Sequence, residues 1–452
     1  MHRDCAYRHA DEGNDGILEL SGELGRLMLH HCRLGEERRR VSRAGRSNLE
    51  ALCFQLSSPR FQCNIRVVNP RVTEVATLRG LLARHPVVGI IGARQVGKST
   101  LARLVARGSN GPVTTFDLEN DEHLAQLTDP LLALKPLKGL VILDEVQRRP
   151  ELFPALRVLA DRPAYPCRFL VLGSASPELL KQSSETLAGR IVYHHLGGFA
   201  LGEIGMAEHD KLWRRGGFPR AFLARTEAES MEWRRGFLRT FVERDIPQLG
   251  IKVPSSTLRR FWTMVAHYHG QTWNSSDFAR SFGVADTTVR HYLDILTSAL
   301  VVRQLLPWYE NIGKRQIKAP KVYVADSGLL HGLLNLPARR ELEGHPKMGA
   351  SWEGFVIGQL IVHLRAEPDE CHFWATHAGA ELDLLVVRGA RRRGFEIKRT
   401  VSPSVTPSMR RALADLRLSS LDVIHAGDRT FPLHERIRAV GLSRMLRDIR
   451  PL

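Results

Sequence analysis

The chain has 452 residues, of which 43% are hydrophobic and 25% are charged. This composition excludes disordered and fibrous proteins, and the length favours two to four folded units. No segment approaches the roughly 18 consecutive apolar residues of a membrane-spanning helix, and the first residues lack the apolar run of a signal peptide. Six cysteines without a Cys-x-x-Cys pair indicate reduced thiols. We therefore expect a cytoplasmic protein with no membrane partner.

The formal net charge is +17, and the positive charge is unevenly distributed. Residues 211–260 hold twelve Lys and Arg against five Asp and Glu, and residues 388–411 hold eight against one. Concentrated positive charge attracts phosphate backbones. An arginine-rich solvated surface explains the charge equally well, so the charge alone leaves duplex DNA open as a partner.

The chain changes character near residue 67. Residues 1–66 show no sustained hydrophobic pattern and predict a poorly ordered extension. Beyond them, apolar runs alternate with helical patterns, which is typical of an α/β fold with a parallel sheet covered by helices on both faces. The predicted buried strands are 87–91, 113–116, 140–143 and 169–172.

The segment 92–99 follows the first of these runs and matches the phosphate-binding P-loop (Walker A) pattern Gly-x-x-x-x-Gly-Lys-Ser without a mismatch. Its glycines let backbone N–H groups face phosphate oxygens, and the helix that follows favours negative charge at its N-terminus. Lys98 is expected to reach the β- and γ-phosphates, and Ser99 to bind Mg²⁺. The pattern predicts ATP and Mg²⁺ as cofactors. The predicted nucleotide-binding residues are Gly92, Ala93, Arg94, Gln95, Val96, Gly97, Lys98, Ser99 and Thr100.

A second motif ends the apolar run 140–143 with Asp144 and Glu145. In a strand beside the P-loop, Asp144 is expected to lie next to Mg²⁺, and Glu145 to orient or deprotonate the attacking water. The guanine-reading pattern Asn-Lys-x-Asp is missing from the sequence, which argues against a GTPase. The two motifs together predict a P-loop ATPase in which Lys98 and Glu145 are catalytic.

Two further residues are candidates for contacts with the γ-phosphate. Ser174 ends the run 169–172, where its hydroxyl group could sense the γ-phosphate, although an ordinary serine after a strand fits nearly as well. Arg190 follows in Leu-Ala-Gly-Arg and could act as an arginine finger, from the same chain or from a neighbouring copy. The structural alternative is an ion pair between Arg190 and Glu203.

Six segments now occur in a characteristic order. They are Gly92–Ser99, Leu143–Pro150, Gly173–Ser176, Leu187–Arg190, Arg215–Pro219 and Glu243–Ile246. In this order they resemble the prokaryotic AAA-type ATPases that carry a C-terminal domain of unknown function related to restriction-endonuclease folds. The resemblance extends from about Val67 to the C-terminus and implies ATP binding. Two positions depart from the family pattern: Ser327 stands where relatives usually have Thr, and Ala285 replaces a helix-capping Ser.

The resemblance and the patterns together predict five units. They are the extension 1–66, an ASCE/AAA-type ATPase core 67–205, a helical lid or connector 206–255, a winged-helix-like unit 256–335 and an α/β nuclease-like domain 336–452.

The unit 256–335 contains helix-turn-helix spacing. A capped helix ends at Gly283, and a second helix is predicted from Asp286 to Thr297. If the second helix enters a major groove, Thr287, Thr288 and Arg290 are the expected DNA-reading residues. Only one of these is an arginine, so a winged-helix spacer for protein contacts is an equal alternative.

The C-terminal unit contains an Asp…Glu-x-Lys arrangement, in Asp383, Glu396 and Lys398. Alternating strand residues place Glu396 and Lys398 on one side, and Glu353 on the preceding helix could add a carboxylate. This order resembles the PD-(D/E)XK nuclease core, in which two carboxylates bind Mg²⁺ and a lysine assists phosphodiester cleavage. The alternative is a nuclease-like fold used only for binding.

Two functions follow from the sequence. The first is an ATPase coupled to DNA binding or cleavage, which the charge distribution, the helix-turn-helix spacing and the Glu-x-Lys pair favour. The second is an ATP-driven signalling switch that acts on a protein partner and has no nuclease activity. Homo-oligomerisation stays open in both.

Overall fold

A computed structural model describes residues 71–163, 167–174, 185–309 and 318–451. All of them belong to one compact unit, Pro70–Leu452. The predicted extension 1–66 and the last two residues of the Gly173–Ser176 segment lie outside the described residues.

The first part of this unit is a five-stranded sheet with all neighbouring strands parallel, in the order β2-β3-β4-β1-β5. The predicted parallel α/β sheet is thereby confirmed, and its four predicted strands are the first four observed. The fifth strand was not predicted. The strands are β1 (Val87–Gly92), β2 (Val113–Asp117), β3 (Gly139–Asp144), β4 (Cys167–Ser174) and β5 (Ile191–His195).

Helices cover both faces of this sheet. Alternate residues of a strand point to opposite faces, so Phe169 and Val171 join one hydrophobic core and Leu170 and Leu172 the other. The arrangement buries β1 on both sides, which explains its unbroken apolar sequence. The helices are α1 (Val72–Arg84), α2 (Lys98–Ala106), α3 (Asp121–Gln126), α4 (Pro130–Leu134) and α5 (Leu152–Ala160), with a 3₁₀ turn at Val146–Arg148.

The next part, beginning at Leu201, is mainly helical around an aromatic core that includes Phe237, Phe241, Trp262 and Phe278. The helices are α6 (Leu201–Ile204), α7 (His209–Arg215), α8 (Pro219–Phe222), α9 (Glu227–Thr240), α10 (Ile246–Gln248), α11 (Ser255–His267), α12 (Ser275–Phe282), α13 (Asp286–Ser298) and α14 (Ser327–Leu333). A 3₁₀ turn spans Met206–Glu208, and a π-helical turn, Phe241–Asp245, joins α9 to α10.

The predicted helix pair corresponds to α12 and α13. Asn274 caps α12 by accepting a hydrogen bond from the Asp277 N–H, and Gly283 ends it in a left-handed conformation. Ala285, at the position where the family resemblance implies Ser, gives α13 no side-chain cap. Three short strands flank this helix pair in the chain. They are β6 (Gln271–Thr272) before it, and β7 (Val302–Pro307) and β8 (Lys321–Val324) after it.

The remaining elements build the C-terminal part. The helices are α15 (Arg339–Glu343), α16 (Met348–Leu364), α17 (Pro407–Asp415) and α18 (Met445–Asp448), with 3₁₀ turns at Pro368–Glu370 and Leu442–Arg444. The strands are β9 (Cys371–Ala375), β10 (Glu381–Arg388), β11 (Arg391–Lys398), β12 (Leu421–His425), β13 (Thr430–His434) and β14 (Ile437–Gly441).

One nine-stranded sheet connects these last two parts, in the order β13-β14-β12-β11-β10-β9-β7-β8-β6. The connection is the parallel pairing of β7 with β9, in which Leu306 lies opposite His372. The segments predicted as a winged-helix-like unit and a nuclease-like domain therefore share one sheet. None of the helices in the described ranges is both long and apolar enough to cross a membrane.

Candidate active site

The P-loop connects the end of β1 at Gly92 to the start of α2 at Lys98. Two local features require glycine. A Cβ atom on Gly92 would lie 2.5 Å from the Leu196 carbonyl oxygen, and Gly97 has a φ of 102°, a conformation that side chains disfavour. The loop predicted from the sequence therefore makes a tight turn that requires glycine at both positions.

Lys98 is buried inside this loop, with only 6% of its surface exposed. Its Nζ donates hydrogen bonds to the carbonyl oxygens of Gly92 (3.0 Å) and Ala93 (3.2 Å). Burial lowers the pKa of Lys98, and the carboxylates of Glu145 and Asp144 partly oppose this change. Across the described residues no carboxylate forms an ion pair with Lys98. The ammonium group is thus a buried cation whose partners are neutral carbonyl oxygens.

Asp144 and Glu145 lie where β3 ends beside the P-loop. The Ser99 side chain hydrogen-bonds to Asp144, so the two predicted Mg²⁺ ligands are in contact. Burial raises the pKa of Asp144, the hydrogen bond from Ser99 opposes the rise, and Glu145 adds to it. Glu145 has a φ of 56°, and its N–H donates to Asp144 Oδ1 at 3.0 Å. Left-handed backbone at a non-glycine residue often marks a functional site.

Gln147 links the catalytic candidate to the neighbouring strand. Its Nε2 donates a hydrogen bond to Glu145 Oε2, and its Oε1 accepts one from the Ser174 N–H at 3.3 Å. Sequence reasoning missed Gln147, although it lies within the segment Leu143–Pro150 that carried the family resemblance. Ser174 therefore contacts Gln147 through its backbone N–H group.

Arg94 points out of the P-loop toward the helical part of the chain. Its Nη1 lies 2.7 Å from Asp245 Oδ1 and hydrogen-bonds to Gln248, and its Nη2 lies 3.2 Å from Glu119 Oε1. Burial raises the pKa of Asp245, while Arg94 opposes the rise. Asp245 ends the π-helical turn, an element that is frequent at functional sites. The sequence signal for Asp245 was its place in the segment Glu243–Ile246.

A cavity of about 200 Å³ lies beside these residues, and Lys98, Ser99 and Asp144 are not among the residues that line it. Its lining includes Gly92, Arg94, Glu145, Gln147, Ser174 and Asp245. The P-loop, the end of β3, the end of β4 and the π-helical turn therefore meet at one cavity.

Arg190 does not line this cavity. Its guanidinium group binds both carboxylate oxygens of Asp161, at 2.7 and 2.9 Å. The predicted structural partner, Glu203, is wrong, because Glu203 instead pairs with Arg71 at 2.6 Å. The Arg71–Glu203 pair is buried, and Arg71 hydrogen-bonds to both carboxylate oxygens of Glu203.

The predicted DNA-reading residues lie on the outer side of α13. Thr287 and Arg290 are exposed and Thr288 is partly buried, whereas Val289 and Leu293 face the core. The helix thus has the orientation expected from its pattern. DNA reading itself stays a prediction.

The predicted nuclease residues also come together. Lys398 Nζ lies 2.7 Å from Glu396 Oε1, which places both side chains on one side of β11. Asp383 is buried on β10, and Glu353 reaches the same cluster from α16. Two residues were missed: Lys321 of β8 lies 3.3 Å from Glu353 Oε1 and 3.8 Å from Asp383 Oδ1, and it also pairs with Glu381 of β10.

With Lys321 among these side chains, the cluster is not arranged as a metal site. In the part of the chain that the structure describes, no group of three or more His, Cys, Asp or Glu side chains is arranged to hold a metal ion. Asp383 Oδ2 accepts a hydrogen bond from the Ile397 N–H at 2.8 Å, and its Oδ1 faces Lys321. Both oxygens of Asp383 are therefore already engaged with donors of the protein, whereas Oε2 of Glu396 has no hydrogen-bond partner among the described residues.

Comparison with known families assigns the five-stranded sheet to an AAA domain. Residues 84–205 match the model of an AAA domain, residues 206–340 match a domain of unknown function (DUF8612), and residues 348–445 match another (DUF4143). The uncharacterized protein Rv2008c of Mycobacterium tuberculosis is 50% identical over 392 residues, which cover 87% of this chain and 88% of that protein. Mb2031c of Mycobacterium bovis matches to the same extent. The chain belongs to their family.

In this family member, the AAA domain contains the P-loop, Asp144 and Glu145, and it is a nucleotide-binding ATPase module. Among solved structures, the Walker-type ATPase paby2304 of Pyrococcus abyssi is 16% identical, covering 60% of this chain and 97% of its own, with a TM-score of 0.43. The RuvB Holliday junction branch migration motor of Thermotoga maritima is 18% identical, covering 52% of this chain and 88% of its own, with a TM-score of 0.27.

Proposed function

We propose that the protein is a Mg²⁺-dependent ATPase whose reaction site is the cavity between the P-loop and the end of β3. The observation that carries the proposal is the buried Lys98 ammonium group, whose partners are two carbonyl oxygens. A buried charge without a counter-ion is unfavourable, and the β- and γ-phosphates of ATP would supply the missing negative charge. Ser99 and Asp144 fit a Mg²⁺ ion, because a hydroxyl and a carboxylate oxygen meet there.

In this proposal each side chain has a separate role. Lys98 exchanges the carbonyl oxygens of Gly92 and Ala93 for phosphate oxygens. Mg²⁺, when bound, supplies neutralisation of phosphate charge. A carboxylate oxygen of Glu145 accepts a proton from the attacking water, while Gln147 holds Oε2 of the same carboxylate. Ser174, at the end of β4, contacts the γ-phosphate side of the cavity.

The first experiment measures ATP turnover of the full chain with Mg²⁺, and compares Lys98→Ala with Lys138→Ala as a control. Lys138 is an exposed lysine of the same sheet region. Lys98→Ala should abolish turnover, and Lys138→Ala should leave it unchanged. Turnover that survives Lys98→Ala contradicts the assignment of the loop.

Glu145→Gln separates binding from hydrolysis. The amide keeps the shape of the side chain but cannot accept a proton, so ATP should still bind while turnover falls by about 10²–10⁴-fold. Nucleotide binding is measured by titration with a fluorescent ATP analogue, and turnover by phosphate release. Unchanged turnover would assign the base to another residue.

Arg190 is proposed to act as an arginine finger on a neighbouring copy, because its ion pair with Asp161 lies at the exposed surface. The Arg190→Ala and Glu145→Gln variants should each hydrolyse ATP slowly when assayed alone. Mixed together, they should regain turnover, since one mixed interface combines an intact Glu145 with an intact Arg190. Full activity of Arg190→Ala alone leaves Arg190 with a structural role, and a slow Arg190→Ala variant that shows no recovery contradicts a contribution from a neighbouring copy.

We propose that ATP turnover is coupled to DNA binding. Two features favour this coupling: the excess of Lys and Arg in residues 211–260 and the exposed Arg290. The second candidate is a switch acting on a protein partner. It is favoured by the acidic side chain of Asp286 at the start of α13, which accepts hydrogen bonds from Ser275 and Ser276. Turnover with and without duplex DNA distinguishes them: stimulation that weakens with salt supports the first, and indifference to DNA supports the second.

A further inference from the structure

We propose that Lys321 is the resident cation of the C-terminal acidic cluster, and that the cluster joins β8 to the C-terminal part instead of binding a divalent metal. The cluster consists of Glu353, Glu381, Asp383, Glu396 and Lys398. The inference is independent of the ATPase proposal, because it concerns residues that the nucleotide site does not use.

The position of the Lys321 side chain is the main observation. Its surface is only 5% exposed, and its Nζ forms ion pairs with Glu353 (3.3 Å), Glu381 and Asp383 (3.8 Å). These carboxylates come from two elements, α16 and β10. The ring of Phe373 on β9 adds a cation–π contact at 5.8 Å. One lysine thus occupies the place between carboxylates that a metal ion would need.

The charges in the cluster support the same conclusion. The Lys321 ammonium group forms ion pairs with three carboxylates, those of Glu353, Glu381 and Asp383. A divalent cation within a few ångströms of it would be strongly repelled, because buried charges are poorly screened.

Other contacts hold the cluster in this state. Glu353 Oε1 also accepts a hydrogen bond from the Tyr323 hydroxyl group at 2.6 Å, and Tyr323 lies two residues after Lys321 on β8. Lys398 neutralises Glu396 Oε1. Because β8 presents both Lys321 and Tyr323 to Glu353, the cluster attaches this strand to α16, in addition to the pairing of β7 with β9.

One atom shows what the removal of Lys321 should do. Oε2 of Glu396 is buried and has no hydrogen-bond partner among the described residues. With the Lys321 charge gone, the buried carboxylates of Asp383 and Glu396 and the partly exposed carboxylate of Glu353 would have insufficient positive charge, and their side chains would be free to turn toward a divalent ion. A substitution at Lys321 should therefore create a divalent-metal site that the native protein does not have.

The test measures Mn²⁺ binding to the full chain without nucleotide, by electron paramagnetic resonance of free Mn²⁺. All proteins carry Asp144→Asn, which removes the Mg²⁺ ligand of the nucleotide site. The variants are Lys321→Met, which keeps the length of the side chain without its charge, and Lys321→Arg, which keeps the charge. Lys347→Ala is the matched control, because Lys347 Nζ lies near the cluster but donates to the His269 carbonyl oxygen instead (3.3 Å).

The native cluster and the Lys321→Arg and Lys347→Ala variants should show no saturable Mn²⁺ binding. The Lys321→Met variant should bind Mn²⁺ at least about tenfold more tightly than the protein with the native cluster. Adding Asp383→Asn should remove that binding. Saturable binding to the native cluster that Asp383→Asn abolishes overturns the proposal and favours the metal-dependent nuclease. A folded Lys321→Met variant that gains no Mn²⁺ binding also overturns it. If Lys321→Met does not fold, the comparison of the native cluster with Asp383→Asn still decides.

Discussion

The guanidinium group of Arg94 in the P-loop lies 2.7 Å from the carboxylate of Asp245, at the end of the π-helical turn. The two residues are 151 positions apart in the chain. Both side chains are largely buried, so the pair is less screened than a surface ion pair. It attaches the loop proposed to hold ATP to the helical part that follows the AAA domain. A change in the position of Arg94 on nucleotide binding would therefore reach α9 and α10 directly.

The first prediction is that Arg94 and Asp245 are energetically coupled. Burial raises the pKa of Asp245 in spite of Arg94. The change in stability of either single variant therefore combines the desolvation free energy of the remaining charge with the loss of the ion pair. A double-mutant cycle of Arg94→Gln and Asp245→Asn, followed by urea unfolding, should give a coupling of about 1–2 kcal/mol. The control is the pair of Arg94 with the exposed Glu119, whose cycle of Arg94→Gln and Glu119→Gln should give less than about 0.5 kcal/mol. Equal coupling in both cycles contradicts the prediction.

The second prediction concerns the contact of Gln147 with Glu145. Gln147→Leu should lower kcat by about tenfold or more with little change in KM, because Glu145 loses the donor that orients its carboxylate. Gln147→Glu should lower kcat further, since a second carboxylate repels the first. The measurement is steady-state ATP turnover. A neighbouring control is Arg149→Gln, whose side chain pairs with Glu151 and not with Glu145. A kcat that Gln147→Leu leaves unchanged removes Gln147 from the site.

The third prediction is acid sensitivity at His269. Its Nδ1 accepts a hydrogen bond from the Val324 N–H (3.0 Å), so Nε2 carries the proton that faces the Ala350 carbonyl oxygen (3.2 Å). Burial lowers the pKa of His269 to about 3, whereas an unfolded histidine has a pKa of about 6.5. The unfolded state therefore binds more protons between these values, and the free energy of unfolding falls as the pH decreases through this window.

His269→Asn tests this effect, because the amide oxygen can still accept from Val324 while the titration is lost. Between pH 6 and pH 4, the variant should lose stability less steeply than the native chain, by up to about 1.4 kcal/mol per pH unit. His291→Asn, at an exposed position of α13, should keep the native slope. The free energy of unfolding is measured by urea titration at each pH. Parallel slopes for His269→Asn and the native chain would assign the acid sensitivity to other groups.

The fourth prediction concerns the close approach of two loops at Gly217. A Cβ atom there would lie 2.7 Å from the carbonyl oxygen and 2.9 Å from the nitrogen of Phe199, both backbone atoms. Gly217 N–H also donates to Asp326 Oδ2 at 2.7 Å, and Phe199 N–H donates to the Gly217 carbonyl oxygen at 2.7 Å. Gly217→Ala should therefore destabilise the fold by about 1–3 kcal/mol.

The matched control is Gly202→Ala in α6, where a Cβ atom meets nothing within 4 Å. This change should be neutral or stabilising by up to about 1 kcal/mol, because alanine favours helix more than glycine does. Both variants are compared by thermal unfolding. Equal effects of the two substitutions would mean that the backbone at Gly217 can move away from Phe199.

The parts of the site that the sequence predicted are contiguous. The P-loop lies within eight residues, and Asp144 with Glu145 directly follows an apolar run, so spacing alone indicates their geometry. The first four strands were predicted for the same reason, since a buried parallel strand has an unbroken apolar sequence. The fifth strand, β5, was missed because His194 and His195 interrupt its apolar character.

Only the tertiary structure decided which ion-pair partners the charged side chains have. Asp245 reaches Arg94, and Lys321 reaches Asp383, across long stretches of chain whose path no local pattern specifies. The structural alternative for Arg190 was an ion pair with Glu203, but Arg190 pairs with Asp161 and Glu203 pairs with Arg71. Charged side chains are long and rotatable, so sequence position does not determine which opposite charge they meet. The sequence alone therefore determined the phosphate-binding loop and the sheet that carries it, whereas the fold decided which carboxylate each distant cation neutralises.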